Sequence, residues 1–150
     1  MVENLLKFTG MKKIIFAFAA ILMSICAQAQ TARLTELDEM VKTDNQNFPL
    51  IIDLGRYGKS TMTKSYIEGD YYVFDTIIDD PTYFSILAGN QKVVKKNVYN
   101  GLKADPQIPY TAKLLMDCNK EIKYRYISKK NERHIVQVII TRKNLKNLVK

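Results

Sequence analysis

The stretch Lys120–Thr141, KEIKYRYISKKNERHIVQVIIT, limits what this chain can become more than any other. In its first half Ile122, Tyr124 and Tyr126 alternate with Lys123 and Arg125. Successive side chains of a strand point to opposite faces, so the apolar and basic groups fall on different sides. The second half, His134 to Thr141, is rich in β-branched residues and apolar on both faces. Val136, Val138 and Ile140 share one face and Ile135 and Ile139 the other, a pattern that predicts a central strand covered on each side. Between the halves, Ser128 to Arg133 is too polar to bury and supplies a turn. A one-residue slip would send the tyrosines to the wrong face, so the register of this hairpin is well specified.

The opposite end of the chain indicates where such a hairpin works. Lys12 and Lys13 precede an apolar run from Ile14 to Ile25, and Ala27-Gln28-Ala29 follows. A basic, then apolar, then small-x-small order is that of a bacterial secretory signal peptide, with cleavage predicted near Ala29. Residues 1–29 therefore read as an N-terminal extension plus signal, and the protein as exported to the periplasm or beyond. The apolar run falls short of the roughly 20 residues a membrane span needs, so no transmembrane segment is expected in the mature chain. Cys26 follows Ile25, not the small residue that lipoprotein processing favours, so its removal is expected rather than its lipidation. Cys118 is then the one mature cysteine, no internal disulfide is possible, and residues 30–150 form a single domain held by its core.

Charge is divided sharply. Residues 30–112 carry 9 Lys and Arg against 11 Asp and Glu, whereas residues 113–150 carry 11 against 3. Such asymmetry points to an anionic partner for the C-terminal quarter. Lys123, Arg125, Lys129, Lys130, Arg133, Arg142 and Lys143 are the candidate binding surface, with Lys146 beside them. Lysines also guard exposed strand edges against aggregation, an ordinary explanation for part of this charge.

Along the rest of the chain, Leu34, Leu37, Met40 and Val41 mark a first helix that Thr31 or Thr35 can cap. Leu50 to Leu54 and Lys59 to Ile67 read as strands, and Glu68-Gly69-Asp70 as a tight turn. Tyr72, Phe74, Thr76 and Ile78 form one face of the strand that follows. Asp79-Asp80-Pro81 opens a helix, Gly89-Asn90 interrupts it, and Asp105-Pro106 breaks the chain again. Leu114, Leu115 and Cys118 face inward on a further helix, and Thr141 caps a last one bearing Leu145 and Leu148. In both halves a hairpin runs into a capped helix, as an old internal duplication would leave it.

The expected class is α+β: an antiparallel sheet of four to five strands from two hairpins, with helices packed on one face. This layout resembles cystatin-like and other small exported helix-on-sheet domains in architecture, a likeness that carries over no site residue.

Chemistry is limited by inventory. With one His and one mature Cys, no zinc cluster can be assembled, and neither a phosphate loop, a dinucleotide fingerprint nor a Gly-x-Ser-x-Gly elbow is present. No cofactor or metal is expected. The favoured function is an exported, non-enzymatic binding or inhibitory module, its basic hairpin meeting an acidic protein, a glycan or an anionic membrane surface. Tyrosines among basic residues also suit nucleic acid, a partner that export disfavours. The alternative is a small cysteine-dependent hydrolase using Cys118 and His134. Against it, Cys118 falls at a helix C-terminus, where the dipole opposes a thiolate.

Overall fold

The computed structural model of the protein describes residues 27–149. Helix α1 occupies residues 27–46, and its apolar stripe sets the inner face. Leu37 is buried, Met40 and Val41 pack beside it, and Leu34 stays half exposed. Thr31 and Thr35 do not cap this helix. They lie within it, and their hydroxyls donate to the carbonyls of Ala27 at 2.9 Å and Thr31 at 3.0 Å. A cap has to sit outside the helical backbone to reach orphan amides, and here the helix already includes residues 27–30. Most of the signal peptide expected at residues 1–29, with its apolar run and Cys26, lies outside the described residues.

Strands β1 (Leu50–Asp53), β2 (Lys59–Glu68) and β3 (Tyr71–Ile78) come next, with a short 3-10 turn at Gly55–Tyr57 after β1. Gly69, in the β2–β3 turn, has φ +55°, a left-handed conformation that glycine adopts without a Cβ clash. Helices α2 (Pro81–Gly89), α3 (Gln91–Ala104) and α4 (Ile108–Asp117) follow, then β4 (Glu121–Ser128), β5 (Asn131–Ile140) and α5 (Arg142–Leu148). Asp80 caps α2 by accepting from the Tyr83 amide at 2.6 Å, and Pro81 sits where no amide hydrogen is needed. Thr141 and Asn144 form a reciprocal capping box at the start of α5.

The class is α+β. Five strands form one sheet in the order β1-β2-β3-β4-β5. The two hairpins are antiparallel as expected, but they meet in a parallel pairing, Tyr72 opposite Ile122, Phe74 opposite Tyr124 and Thr76 opposite Tyr126. The sheet is therefore mixed, not wholly antiparallel. Parallel neighbours need a long crossover, and α2, α3 and α4 return the chain from the end of β3 to the start of β4. Strand β5 is a second correction, because it forms an edge of the sheet and not its centre. Val136, Val138 and Ile140 are buried under helices, while Ile135 and Ile139 stay half-buried on the opposite face, beside their register partners Ile127 and Lys123.

The strand residues of the main core, Tyr72, Ile122 and Ile140, all lie on one sheet face. Leu37, Ile108, Leu114, Leu115, Leu145 and Leu148 bring the helices onto that face. Leu115 has none of its surface exposed, so truncation to Ala there is expected to cost about 2–5 kcal/mol. The other face carries Tyr66, Val73, Asp75, Lys123 and Arg125, with no helical residue in the core cluster set against it.

Candidate functional site

The structure divides the basic residues expected to act together. Lys129, Lys130 and Arg133 gather at the β4–β5 turn. Arg142 and Lys143 sit at the other end of β5, where Arg142 donates its amide to Glu121 Oε1 and its guanidinium to the Asn119 carbonyl, each at 3.0 Å. Given the strand rise, that end lies about 25 Å from the turn. Lys123 and Arg125 lie on the face that no described helix covers and are already paired. Lys123 Nζ is 3.3 Å from Glu68 Oε2 and 3.8 Å above the centre of the Tyr71 ring. Arg125 Nη1 is 3.4 Å from Asp75 Oδ1 and also donates to the Tyr66 hydroxyl. Lys129 pairs with Asp79 at 3.3 Å, an exposed contact of little strength. Lys130 and Arg133 are exposed and form no ion pair among the described residues.

Cys118 and His134 are not brought together. Cys118 ends α4, just before β4 begins, whereas His134 stands past the β4–β5 turn near Asn131, its Nε2 3.3 Å from Asn131 Nδ2. The length of β4 separates them by about 20 Å. Cys118 is only 5% exposed, and burial first, with Asp117 second, raises its thiol above the ordinary value. Among the described residues no group of three His, Cys, Asp or Glu side chains is placed to hold a metal ion.

A cavity of about 570 Å³ lies between the helices and the sheet. Its floor is aromatic. Tyr72 and Phe74 on β3 have ring centres 4.5 Å apart, and Phe74 stacks on its register partner Tyr124 at 5.3 Å. The alternation of a strand puts all three on the helix-covered face. One wall is the last turns of α1, with Met40, Thr43, Asp44 and Asn47; the other is the α3–α4 junction, with Leu102, Asp105, Gln107 and Thr111. Phe48, Leu50 and Met62 close the side toward β1 and β2.

Two carboxylates face this space from separate elements. Asp44 accepts from the Tyr72 hydroxyl, which also lies 3.2 Å from Ser65 Oγ. Asp105 Oδ1 accepts from the Gln107 amide at 2.8 Å, an Asx turn that follows from the Asp-Pro break. Burial, then the hydrogen bond to Asp44, holds the Tyr72 phenol far above the usual tyrosine range. Tyr124 is shifted the same way, by burial first, then Tyr126, Asp44 and Asp105. Its hydroxyl meets no partner among the described residues.

Sequence reading missed this site because its parts carry no local signal. Asp44 reads as the polar end of a helix and Asp105 as half of a chain break. Only the alternation within each strand, Tyr72 with Phe74 and Tyr124 with Ile122, was visible beforehand.

No family model and no curated protein sequence matches the chain. A solved structure from Pseudomonas aeruginosa, of a protein inferred to be secreted, is similar in fold. The TM-score is 0.61 at 9% identity, over 77% of this chain and 95% of that one. At that identity the likeness concerns the fold. No helix among the described residues is long and apolar enough to cross a membrane.

Proposed function

We propose that this protein is an exported, non-catalytic binding module whose ligand occupies the cavity between α1, the α3–α4 junction and the β3–β4 floor. The observation that carries the reading is that cavity: about 570 Å³, largely apolar, with a few polar groups at its walls. Pockets of that size and make-up are the ordinary form of small-molecule sites. Export is supported by the signal pattern at residues 1–29 and by the secreted character inferred for the fold neighbour. The separation of Cys118 from His134 supports binding over hydrolysis.

The test uses N-phenylnaphthylamine, a neutral apolar dye that brightens on leaving water. Saturable brightening at one dye per protein is expected, and Leu102→Trp, which narrows the cavity, should weaken it without changing the circular dichroism. A native protein that leaves the dye dark, or a variant that brightens it equally, overturns the reading.

A second reading places an acidic macromolecule at the β4–β5 turn, favoured by the uncommitted charges of Lys130 and Arg133. Reversing Lys123 and Arg125 would disturb their ion pairs on the sheet, so the sound test is Lys130→Glu with Arg133→Glu. Earlier elution from a heparin column at unchanged stability is expected, and unchanged elution excludes this turn as the basic contact.

A further inference from the structure

We infer that the cavity takes an organic cation, a small apolar molecule bearing an ammonium group. This rests on the cavity being the binding site and adds to it the charge of the occupant. The chain is basic overall, at +8, yet the described lining holds Asp44 and Asp105 with no Lys, Arg or His. The two carboxylates stand on opposite walls, and neither enters an ion pair among the described residues. Their hydrogen bonds to the Tyr72 hydroxyl and the Gln107 amide orient them without supplying a counter-charge.

The floor suits the rest of such a molecule. Tyr72, Phe74 and Tyr124 supply an aromatic surface for its apolar body. The half-buried Asp44 carboxylate, beside low-dielectric walls, also attracts an ammonium group more strongly than it would in water. An anion would meet two like charges there and no compensating one. A neutral molecule would keep only the apolar contacts.

Octylamine, octanol and octanoate separate these cases, because they share one apolar body and differ in charge at neutral pH. Each is titrated into the purified protein and followed by tyrosine fluorescence, which no tryptophan obscures, and by amide shifts at Asn47, Gln107 and Thr111. Octylamine should bind about tenfold tighter than octanol, with octanoate weakest. Asp44→Asn with Asp105→Asn should bring octylamine down to the octanol level and leave octanol unchanged. If the double variant does not fold, Asp105→Asn alone, in an exposed loop, should still reduce the preference. Equal binding of all three compounds would leave the cavity reading standing and overturn the charge assignment. Failure of every compound to move the cavity amides would overturn both.

Discussion

Asn45 and Ser65 are joined as two strands would be: Asn45 Nδ2 donates to the Ser65 carbonyl at 2.8 Å, and the Ser65 amide donates to Asn45 Oδ1 at 3.0 Å. Strand β1 pairs only with Lys59 to Met62, so among the described residues the outer edge of β2 has no strand beside it at Ser65. One side chain from α1 takes that place, and its nitrogen also bonds the Val41 carbonyl at 2.8 Å. The last turn of α1 is thereby held over the sheet, which brings Asp44 to Tyr72 and forms one wall of the cavity.

Removing that clamp leaves backbone groups of Ser65 unsatisfied. Asn45→Ala is expected to lower stability by about 1–2 kcal/mol in urea unfolding. It should weaken dye binding as well, since the wall loses its anchor. Unchanged stability would mean that water replaces the amide at no cost.

Arg125 belongs to the fold before it belongs to any partner. Asp75 is 3% exposed on the sheet face opposite the helical core, and Arg125, Lys64 at 3.6 Å and the Tyr66 hydroxyl at 3.3 Å surround its carboxylate. Breaking a buried pair strands a charge, whereas replacing both partners with apolar groups does not. Arg125→Met should therefore cost about 2–3 kcal/mol, allowing for Lys64 nearby and for the partial exposure of the guanidinium. Adding Asp75→Leu should recover most of that loss. A double variant as unstable as the single one would refute this account.

Alkaline pH should unfold the protein through its tyrosines. Burial is the first cause that holds the protons of Tyr72, Tyr124 and Tyr126 above the ordinary value of 10.0, with Tyr126 pushed up to about 12. Between those values the folded state binds more protons than the unfolded chain, so stability is intact below about pH 10 and falls as pH rises toward 12. In an ultraviolet titration, at least three of the nine tyrosines should stay silent until unfolding, then ionise together. A native curve that superimposes on the denatured one would contradict the burial of these rings.

Cys118 should behave as a core residue. Its raised thiol and 5% exposure predict alkylation by iodoacetamide at pH 8 only in step with unfolding, as measured by intact mass. Rapid modification of folded protein at neutral pH would reopen a cysteine-based chemistry.

The parts of this fold that were legible in advance are those governed by neighbours in sequence. Alternation placed Tyr72 with Phe74 on one face of β3 and Tyr124 with Ile122 on one face of β4, Asp80 and Thr141 were readable as caps, and the Gly69 turn announced the first hairpin. The apolar character of β5 misled, because Ile135 and Ile139 find partial cover beside Ile127 and Lys123 on the same sheet, without a second layer. Periodicity reports which side of a strand is apolar, not what covers it.

By itself, then, the sequence determined the elements, their faces, the inward position of Cys118 and a charge-rich C-terminal quarter, since each depends on spacing within one strand or one helical turn or on composition alone. The tertiary structure alone decided the parallel meeting of the hairpins and the dispersal of the basic residues to both ends of β5. It also decided the convergence of Asp44 and Asp105 on one aromatic floor. Those relationships join residues far apart in the chain, and they arise only when three crossover helices and a mixed sheet settle into a common packing that no local pattern encodes.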